Sequence, residues 1–223
     1  MKTLPRPLPA DPLPLVERWL AAASTGGRRR NPTAMALATT DARSRPSVRM
    51  VLLKHLSVDA GFAVFYTHYG SRKGRELDAN ARAAGVLYWE ELGAQIRLEG
   101  PVVRCPDAES DAYFATRPWG SQVNALVSEQ SAPLEDFDAF LRTMREKNER
   151  LGGPPDPANP EAGGPALARP AFWGGYRLWL DTVELWLEGT DRCHERVRYQ
   201  RLLSREDASS FSGQPWSSQR LQP

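Results

Sequence analysis

The chain has 223 residues, and its 41% of hydrophobic and 25% of charged residues are typical of a globular protein with a sizeable core. A formal net charge of +2 does not favour nucleic-acid binding, for which clustered basic residues are expected. No apolar run suits a membrane span or a signal sequence, and two cysteines give no disulfide framework, so we expect a cytoplasmic protein.

The N-terminal part predicts an irregular arm, a helix and then strands. Residues 1–10 are proline-rich, and Asp11 caps a helix that ends at Gly26 and Gly27. The basic run 28–30 is expected to be a solvated loop. Apolar and β-branched residues then predict a meander of three strands, at residues 34–40, 47–56 and 62–67.

The rest of the chain alternates helices and strands. Helices are predicted at 71–81, 107–117 and 121–128, and along the apolar stripe Leu134, Phe137, Leu141 and Met144. Strands are predicted at 85–89, 95–103, 176–180, 183–187, 196–202 and 219–223, with a long loop at 152–170 and a polar hairpin loop at 205–218. Many strands with few helices favour a barrel with attached helices, in one domain over residues 11–223.

Two clusters have the chemistry of phosphate binding. Tyr113, Arg117 and Ser121 place a phenol, a guanidinium and a hydroxyl within one short helical region. Residues 70–73 place Arg72 and Lys73 where a strand meets a helix, and cations at a helix N-terminus need an anion to offset the dipole. A solvated basic turn explains this second cluster equally well. Two phosphate sites would fit a phosphorylated cofactor and a phosphorylated substrate.

Arg49 and Lys54 lie in one apolar strand, but their odd separation puts them on opposite faces. They can share a site only if the strand bulges or ends near Lys54. Without such a feature, a face that alternates to solvent is the better interpretation.

Arg192, His194 and Arg196 are predicted to share one face of an extended segment. His194 could be a general base, a metal ligand or a structural residue, but no cluster with metal-ligand spacing accompanies it. Three such groups on one face favour an anionic or aromatic ligand, and we predict no metal site.

Ten short motifs occur in order from residue 8 to the C-terminus. They cover residues 8–12, 49–55, 65–67, 70–73, 113–118, 121–122, 128–131, 172–175, 192–196 and 220–223. In this order they resemble the pyridoxine/pyridoxamine 5′-phosphate oxidases, FMN enzymes that make pyridoxal 5′-phosphate. Cys193 replaces the usual leucine between Arg192 and His194.

The resemblance implies a mainly β, FMN-binding split barrel with attached helices that forms a homodimer. The residues implied to hold FMN are Arg49, Met50, Val51, Leu52, Lys54, Tyr66, Thr67, Arg72, Lys73, Gln95, Gln130, Ser131, Trp186 and Arg196. The residues implied to hold the substrate are Lys54, Tyr113, Arg117, Ser121, Arg192 and His194. Arg192 and His194 would act on the substrate ring as the catalytic pair.

The implied reaction oxidises pyridoxamine or pyridoxine 5′-phosphate to pyridoxal 5′-phosphate. Molecular oxygen is the acceptor, hydrogen peroxide is formed, and the amine substrate also releases ammonia. One alternative is an FMN oxidase of phenazine biosynthesis, a branch that residues 106–111 and 220–223 also resemble. The intact phosphate motif 117–122 favours the vitamin enzyme. A second alternative is a non-catalytic flavin- or pyridoxal-phosphate-binding barrel.

Overall fold

The computed structural model of the chain describes residues 3–25, 30–154 and 167–223. The predicted helix end at Gly26 and Gly27, part of the basic run 28–30 and most of the predicted loop 152–170 lie outside the described residues. The helices are α1 (Leu13–Thr25), α2 (Arg72–Ala79), α3 (Asp107–Ala115), α4 (Trp119–Val127) and α5 (Phe137–Arg150). None of these described helices is long and apolar enough to cross a membrane.

Twelve strands occur in the described residues. They are β1 (Ala34–Thr40), β2 (Pro46–Leu52), β3 (His55–Ser57), β4 (Phe62–His68), β5 (Arg82–Trp89), β6 (Ala94–Arg104), β7 (Trp173–Trp179), β8 (Thr182–Leu187), β9 (Glu195–Gln200), β10 (Leu203–Arg205), β11 (Phe211–Gly213) and β12 (Ser217–Leu221). Ten of them form one sheet with the path β12-β9-β8-β6-β5-β1-β2; β4 pairs with β3 and β7, and β7 also pairs with β6.

The chain divides into two compact units. The strand unit comprises Met1–Phe65, Glu76–Val103 and Tyr176–Pro223, and the helical unit comprises Tyr66–Arg75 and Arg104–Gly175. Strands β4 and β7 and helix α2 contribute residues to both units. A single domain over residues 11–223 stays a prediction.

Alternating side chains build the core of the strand unit. Leu87, Ile96, Leu185 and Val197 are directly paired across β5, β6, β8 and β9, and all four are fully buried. Successive residues of a strand point to opposite faces, so the neighbours of these four side chains lie on the other face of the sheet.

The N-terminal arm and the first helix follow the sequence closely. Residues 3–12 form neither helix nor strand, yet Leu4 is buried. The carboxylate of Asp11 accepts a hydrogen bond from the Leu13 backbone N–H at 2.8 Å, as a capping residue does. Val16 and Trp19 form part of the buried stripe of α1.

One predicted strand is wrong. Residues 47–56 form two strands, because the chain leaves β1 after Leu52 and joins β4. The Leu53 N–H donates to the Thr33 carbonyl at 2.9 Å, and the Lys54 N–H donates to the Val64 carbonyl at 2.8 Å. The break falls at Lys54, so strand alternation no longer separates Lys54 from Arg49.

Other predictions need smaller corrections. Helix α2 ends at Ala79, not at 81, and β5 begins at Arg82, not at 85. The strand is longer than predicted because residues 82–84 also pair with β6. The predicted hairpin loop 205–218 contains β11, which pairs with β10 at the start of the loop and so forms a small hairpin. The last strand is confirmed, since β12 pairs with β9.

The apolar stripe predicted for the last helix, which corresponds to α5, does not form a buried face. Leu134 precedes α5, which is capped by Asp136 through a hydrogen bond from the Ala139 N–H. Phe137 is 61% exposed and Leu141 41% exposed, and α5 contains no buried residue. Periodicity alone predicted burial here, but burial depends on a partner surface that periodicity does not supply.

Adding a methyl group at two helical glycines of the helical unit should have opposite effects on stability. A Cβ at Gly74 of α2 would lie 1.9 Å from the Tyr69 carbonyl oxygen, whereas a Cβ at Gly120 of α4 would meet nothing within 4 Å. We expect Gly74→Ala to lower the free energy of unfolding by about 1–3 kcal/mol. Gly120→Ala should raise it by up to about 1 kcal/mol. Urea unfolding of both variants tests this, and equal effects would contradict the close approach at Gly74.

Candidate functional site

The junction of β4 and α2 fixes a buried cation in the helical unit. Ser71 caps α2, since its hydroxyl accepts from the Gly74 N–H at 3.3 Å. The Lys73 ammonium donates to Thr67 Oγ1 at 2.9 Å, Ser71 Oγ at 3.1 Å and Gln130 Oε1 at 2.7 Å. These bonds hold the charge of Lys73 at the first turn of α2, where the backbone N–H groups also favour an anion.

The structure brings several residues predicted to bind the cofactor to this junction. Thr67, Lys73 and Gln130 are directly hydrogen-bonded, as described above. Arg72 is exposed beside Lys73 at the helix start. Ser131 follows Gln130 with a φ of +74° in an exposed turn after α4. The cluster therefore offers an ammonium, a guanidinium and hydroxyl groups at one helix N-terminus.

Arg117 has a half-buried side chain in the helical unit. It lies between α3 and α4, and burial lowers its pKa, while the nearby Tyr113 opposes this shift. Its Nη1 atom is buried and has no hydrogen-bond partner among the described residues. A buried N–H without an acceptor is costly, and a charge-assisted bond from a bound anion would satisfy it.

Aromatic rings surround Arg117. Its guanidinium carbon lies 4.5 Å from the ring centroid of Trp173 and 5.5 Å from that of Phe114. Tyr66 and Tyr113 stack with centroids 3.8 Å apart, and both rings are within 10° of parallel to Trp173. The predicted residues Tyr66, Tyr113 and Arg117 thus belong to one aromatic and cationic cluster.

Ser121 lies in the first turn of α4, four residues after Arg117. Its backbone N–H donates to the Pro118 carbonyl at 2.9 Å, and the residue is partly buried. Pro118 precedes the helix with an extended backbone, which starts α4 directly after Arg117. This turn therefore brings the predicted hydroxyl and guanidinium into one short segment.

A second group of predicted residues forms a row across the sheet of the strand unit. Gln95 of β6 pairs with Trp186 of β8, and Trp186 pairs with Arg196 of β9. Directly paired residues lie on the same face of a sheet. The row is next to the buried core residues in each strand, so it occupies the opposite face.

Glu184 orients Arg196 and was not predicted. This buried carboxylate accepts from Nε and Nη2 of Arg196 at 3.0 and 2.8 Å, and from Nη1 of Arg97 at 3.3 Å. Burying a carboxylate is costly unless cations pair with it. A single acid inside the apolar run 183–187 was the signal that could have identified it.

The prediction that Arg192, His194 and Arg196 share one face of a strand is wrong. Thr190–Arg192 form a 3₁₀ turn in which Asp191 and Arg192 have φ values of +52° and +62°. Strand alternation therefore starts only at β9, after His194. Arg192 is exposed on this turn.

His194 nevertheless joins the row through its ring. Its imidazole lies 4.6 Å from the Trp186 ring centroid, and its Nδ1 accepts from the Gly189 N–H at 3.3 Å. Because Nδ1 is an acceptor, a neutral His194 carries its proton on Nε2. Turn geometry, not alternation, places His194 beside Trp186.

Arg49 is engaged within the strand unit. Its guanidinium pairs with buried Glu76 at 3.0 Å and donates to Ser47, to Thr39 and to the Leu37 carbonyl at 3.2 Å. The neighbouring predicted residues differ in exposure, with Met50 and Lys54 exposed and Val51 and Leu52 partly buried. Their roles toward a cofactor stay predictions.

Similarity to known proteins defines the family. The pattern described as "Pyridoxamine 5′-phosphate oxidase" matches residues 28–149, and the "Pyridoxine 5′-phosphate oxidase C-terminal dimerisation region" matches residues 173–223. The chain is 43% identical over 216 residues to a pyridoxine/pyridoxamine 5′-phosphate oxidase of Rubrobacter xylanophilus, covering 96% of this chain and 88% of that protein.

A second branch is about equally similar. A dihydrophenazinedicarboxylate synthase of Pseudomonas chlororaphis is 40% identical over 215 residues, covering 96% of this chain and 85% of that protein. The structure of PhzG from Burkholderia lata 383 in complex with tetrahydrophenazine-1-carboxylic acid superimposes with a TM-score of 0.80 at 35% identity. This match covers 96% of this chain and 94% of that one.

The chain belongs to the pyridoxamine 5′-phosphate oxidase family, because the first pattern covers more than half of it and relatives match almost all of it. The predicted fold class is confirmed: a mainly β split barrel with attached helices. The family supports an oxidoreductase.

His68 reports the charge of the Lys73 cluster. Burial lowers the pKa of His68 below 6.5, the charge of Lys73 lowers it further, and Glu129 opposes the shift. The unfolded chain therefore binds more protons, and the free energy of unfolding should fall as the pH drops below about 6.5 toward the folded pKa.

We expect Lys73→Met to raise the pKa of His68 while leaving it below 6.5, because burial is the larger cause. The same substitution should reduce the loss of stability at acid pH. The measurement is a proton NMR titration, which is simple in a chain with three histidines. Lys147→Met in α5 is the charge control, and a His68 pKa that ignores Lys73→Met would contradict the cluster geometry.

Proposed function

We propose that the protein oxidises pyridoxamine and pyridoxine 5′-phosphate to pyridoxal 5′-phosphate, using FMN and molecular oxygen. The observation that carries this proposal is the buried, unpartnered Nη1 of Arg117 among the described residues. A guanidinium in this state suits a phosphate dianion, which accepts strong charge-assisted bonds. Phenazine-type acids lack that phosphate.

Substrate binding is assigned to the residues of the cluster around Arg117. Arg117 would bind the phosphate through Nη1, and the Ser121 hydroxyl and Tyr113 phenol would add hydrogen bonds. Lys54, beyond the end of β2, is a further candidate for the phosphate. Each of these groups is a donor, as a phosphate requires.

The residues around the β4–α2 junction fit the phosphate of FMN. Arg72 and Lys73 supply cations at a helix N-terminus, and Thr67, Gln130 and Ser131 supply polar groups. Gln95, Trp186 and Arg196 form a polar and aromatic row suited to a flat ring system. Bound FMN would supply the two-electron acceptor and return the electrons to oxygen as hydrogen peroxide.

Arg192 and His194 are proposed to orient the substrate ring. With its proton on Nε2, neutral His194 is a donor toward an acceptor on that ring, and contact with Trp186 limits its rotation. The exposed guanidinium of Arg192 would pack over the ring face. Oxidation of the alcohol yields the aldehyde directly, whereas the amine yields an imine that water hydrolyses to aldehyde and ammonia.

We also propose a cytoplasmic homodimer. Its support is the match of residues 173–223 to the dimerisation region of the family. Val48 and Met50 of β2 are 69% and 63% exposed, and apolar side chains this exposed are typical of surfaces that a partner covers.

An FMN oxidase of phenazine biosynthesis is the second candidate. It is favoured by the likeness to PhzG and to the synthase of P. chlororaphis. The two candidates differ in substrate, since one acts on a phosphorylated pyridine and the other on a tricyclic acid.

Oxygen uptake by the purified protein separates these candidates. We expect uptake with pyridoxamine 5′-phosphate, much less with pyridoxamine and none with a dihydrophenazine carboxylic acid. Arg117→Ala should raise the KM for the phosphorylated substrate about tenfold or more, because a charge-assisted hydrogen bond contributes about 1.5–3 kcal/mol. Uptake with the tricyclic acid alone would establish the second candidate. No uptake with any substrate would favour the non-catalytic flavin- or pyridoxal-phosphate-binding barrel.

The FMN assignment predicts a yellow protein that loses its colour on mutation. Replacing both Arg72 and Lys73 by alanine should weaken FMN binding by at least about 100-fold, since two charged contacts are lost. Flavin fluorescence on titration with FMN measures this affinity. The control is Arg142→Ala plus Lys147→Ala on α5, which removes the same charge. Wild-type affinity in the Arg72 and Lys73 variant would refute the assignment.

A further inference from the structure

Trp173, the first residue of β7, is the central side chain of the cluster around Arg117. It is 6% exposed, and its ring face lies 4.5 Å from the guanidinium carbon of Arg117. Phe114 meets the same ring edge-on at 5.1 Å. A cation over a tryptophan face is attracted by the ring quadrupole, more strongly when water is excluded. Trp173 thus restrains the position of the Arg117 guanidinium.

The backbone of Trp173 is itself held by Arg169. The Arg169 side chain is 7% exposed, and its Nη1 donates to the Trp173 carbonyl at 2.6 Å. Its other nitrogens bind Asp107 at 2.7 Å and Asp111 at 2.6 Å. Both aspartates belong to α3, the helix that ends just before Arg117. The backbone of Trp173 is therefore anchored through Arg169 to α3, the helix that also carries Tyr113 and Phe114.

The side chain of Gln122 holds the backbone of Arg117. Its side chain is fully buried, and its Nε2 donates to the Arg117 carbonyl at 2.8 Å. Its Oε1 accepts from the Leu167 N–H at 3.0 Å. The main chain and the guanidinium of Arg117 are fixed by different neighbours, so loss of the ring contact releases the guanidinium without releasing the main chain.

We propose that Trp173 is a positioning residue that sets the preference for a phosphorylated substrate by holding the Arg117 guanidinium in place. The inference rests on the proposed function. An arginine that is already stacked loses little further rotamer freedom when it binds an anion, so its affinity for phosphate is higher. Trp173 would act entirely through Arg117.

Steady-state kinetics of the FMN-loaded protein test this role. Trp173→Met fills space without an aromatic face, and should raise the KM for pyridoxamine 5′-phosphate about 3- to 30-fold. The KM for pyridoxamine should change less than about twofold, since no phosphate is bound. Trp173→Phe keeps a ring face and should recover most of the loss. Equal changes for both substrates, or no recovery with phenylalanine, would overturn the proposal.

A double-mutant comparison shows whether Trp173 acts through Arg117. Trp173→Met should add almost nothing in the Arg117→Ala background, because the group it positions is gone. An undiminished effect there would overturn the proposal. The matched control is Trp119→Met, at a buried tryptophan of the same unit whose indole nitrogen donates to Asn148 at 2.6 Å. It should lower stability but leave the ratio of the two KM values unchanged.

A binding measurement separates this inference from the proposed function. Inorganic phosphate should raise the Tm of the FMN-loaded wild type and of Trp173→Phe, and much less that of Trp173→Met. These three proteins could show the expected Tm shifts while the wild type fails to oxidise pyridoxamine 5′-phosphate. That result would refute the proposed function but support the positioning role of Trp173. Equal Tm shifts in all three would overturn that role. If Trp173→Met does not fold, Arg169→Met replaces it in the comparison, because that substitution removes the hydrogen bond to the Trp173 carbonyl. The expected and the contradicting Tm shifts stay the same.

Discussion

The alternation of side chains along β5, β6, β8 and β9 is the constraint on which the strand unit depends. One set of paired residues, such as Ile96 and Leu185, forms the buried core. The adjacent set of paired residues, Gln95, Trp186 and Arg196, lies on the other face. Core and candidate site therefore share the same strands, and a slip in register would destroy both.

Buried charge is the second constraint, and each charge is held in a different way. Lys73 is hydrogen-bonded to hydroxyl and amide oxygens, Glu184 to two arginines, and Arg117 lies against the Trp173 ring. Buried charges are costly unless compensated, so such groups are concentrated where a ligand supplies part of the compensation. The unpartnered Nη1 of Arg117 among the described residues is the clearest case.

Local signals were reliable where they described local interactions. The capping residues Asp11 and Ser71 and the positions of most strands, to within a few residues, were predicted from short patterns and are confirmed. Predictions that relied on periodicity over a longer stretch were wrong at 47–56 and at Arg192. In both places the chain changes direction. Periodicity does not reveal a turn that contains neither glycine nor proline.

The sequence by itself determined the family, the barrel class and which residue types carry the chemistry, because motifs and alternation are properties of the chain. Only the tertiary structure decided how those residues are held. Three contacts show this: Glu184 binds Arg196, Trp173 packs against the Arg117 guanidinium, and Gln122 binds the Arg117 carbonyl. None of the three partners, Glu184, Trp173 and Gln122, was predicted as a site residue. Such contacts arise from packing, so the spacing of residues along the chain did not predict them.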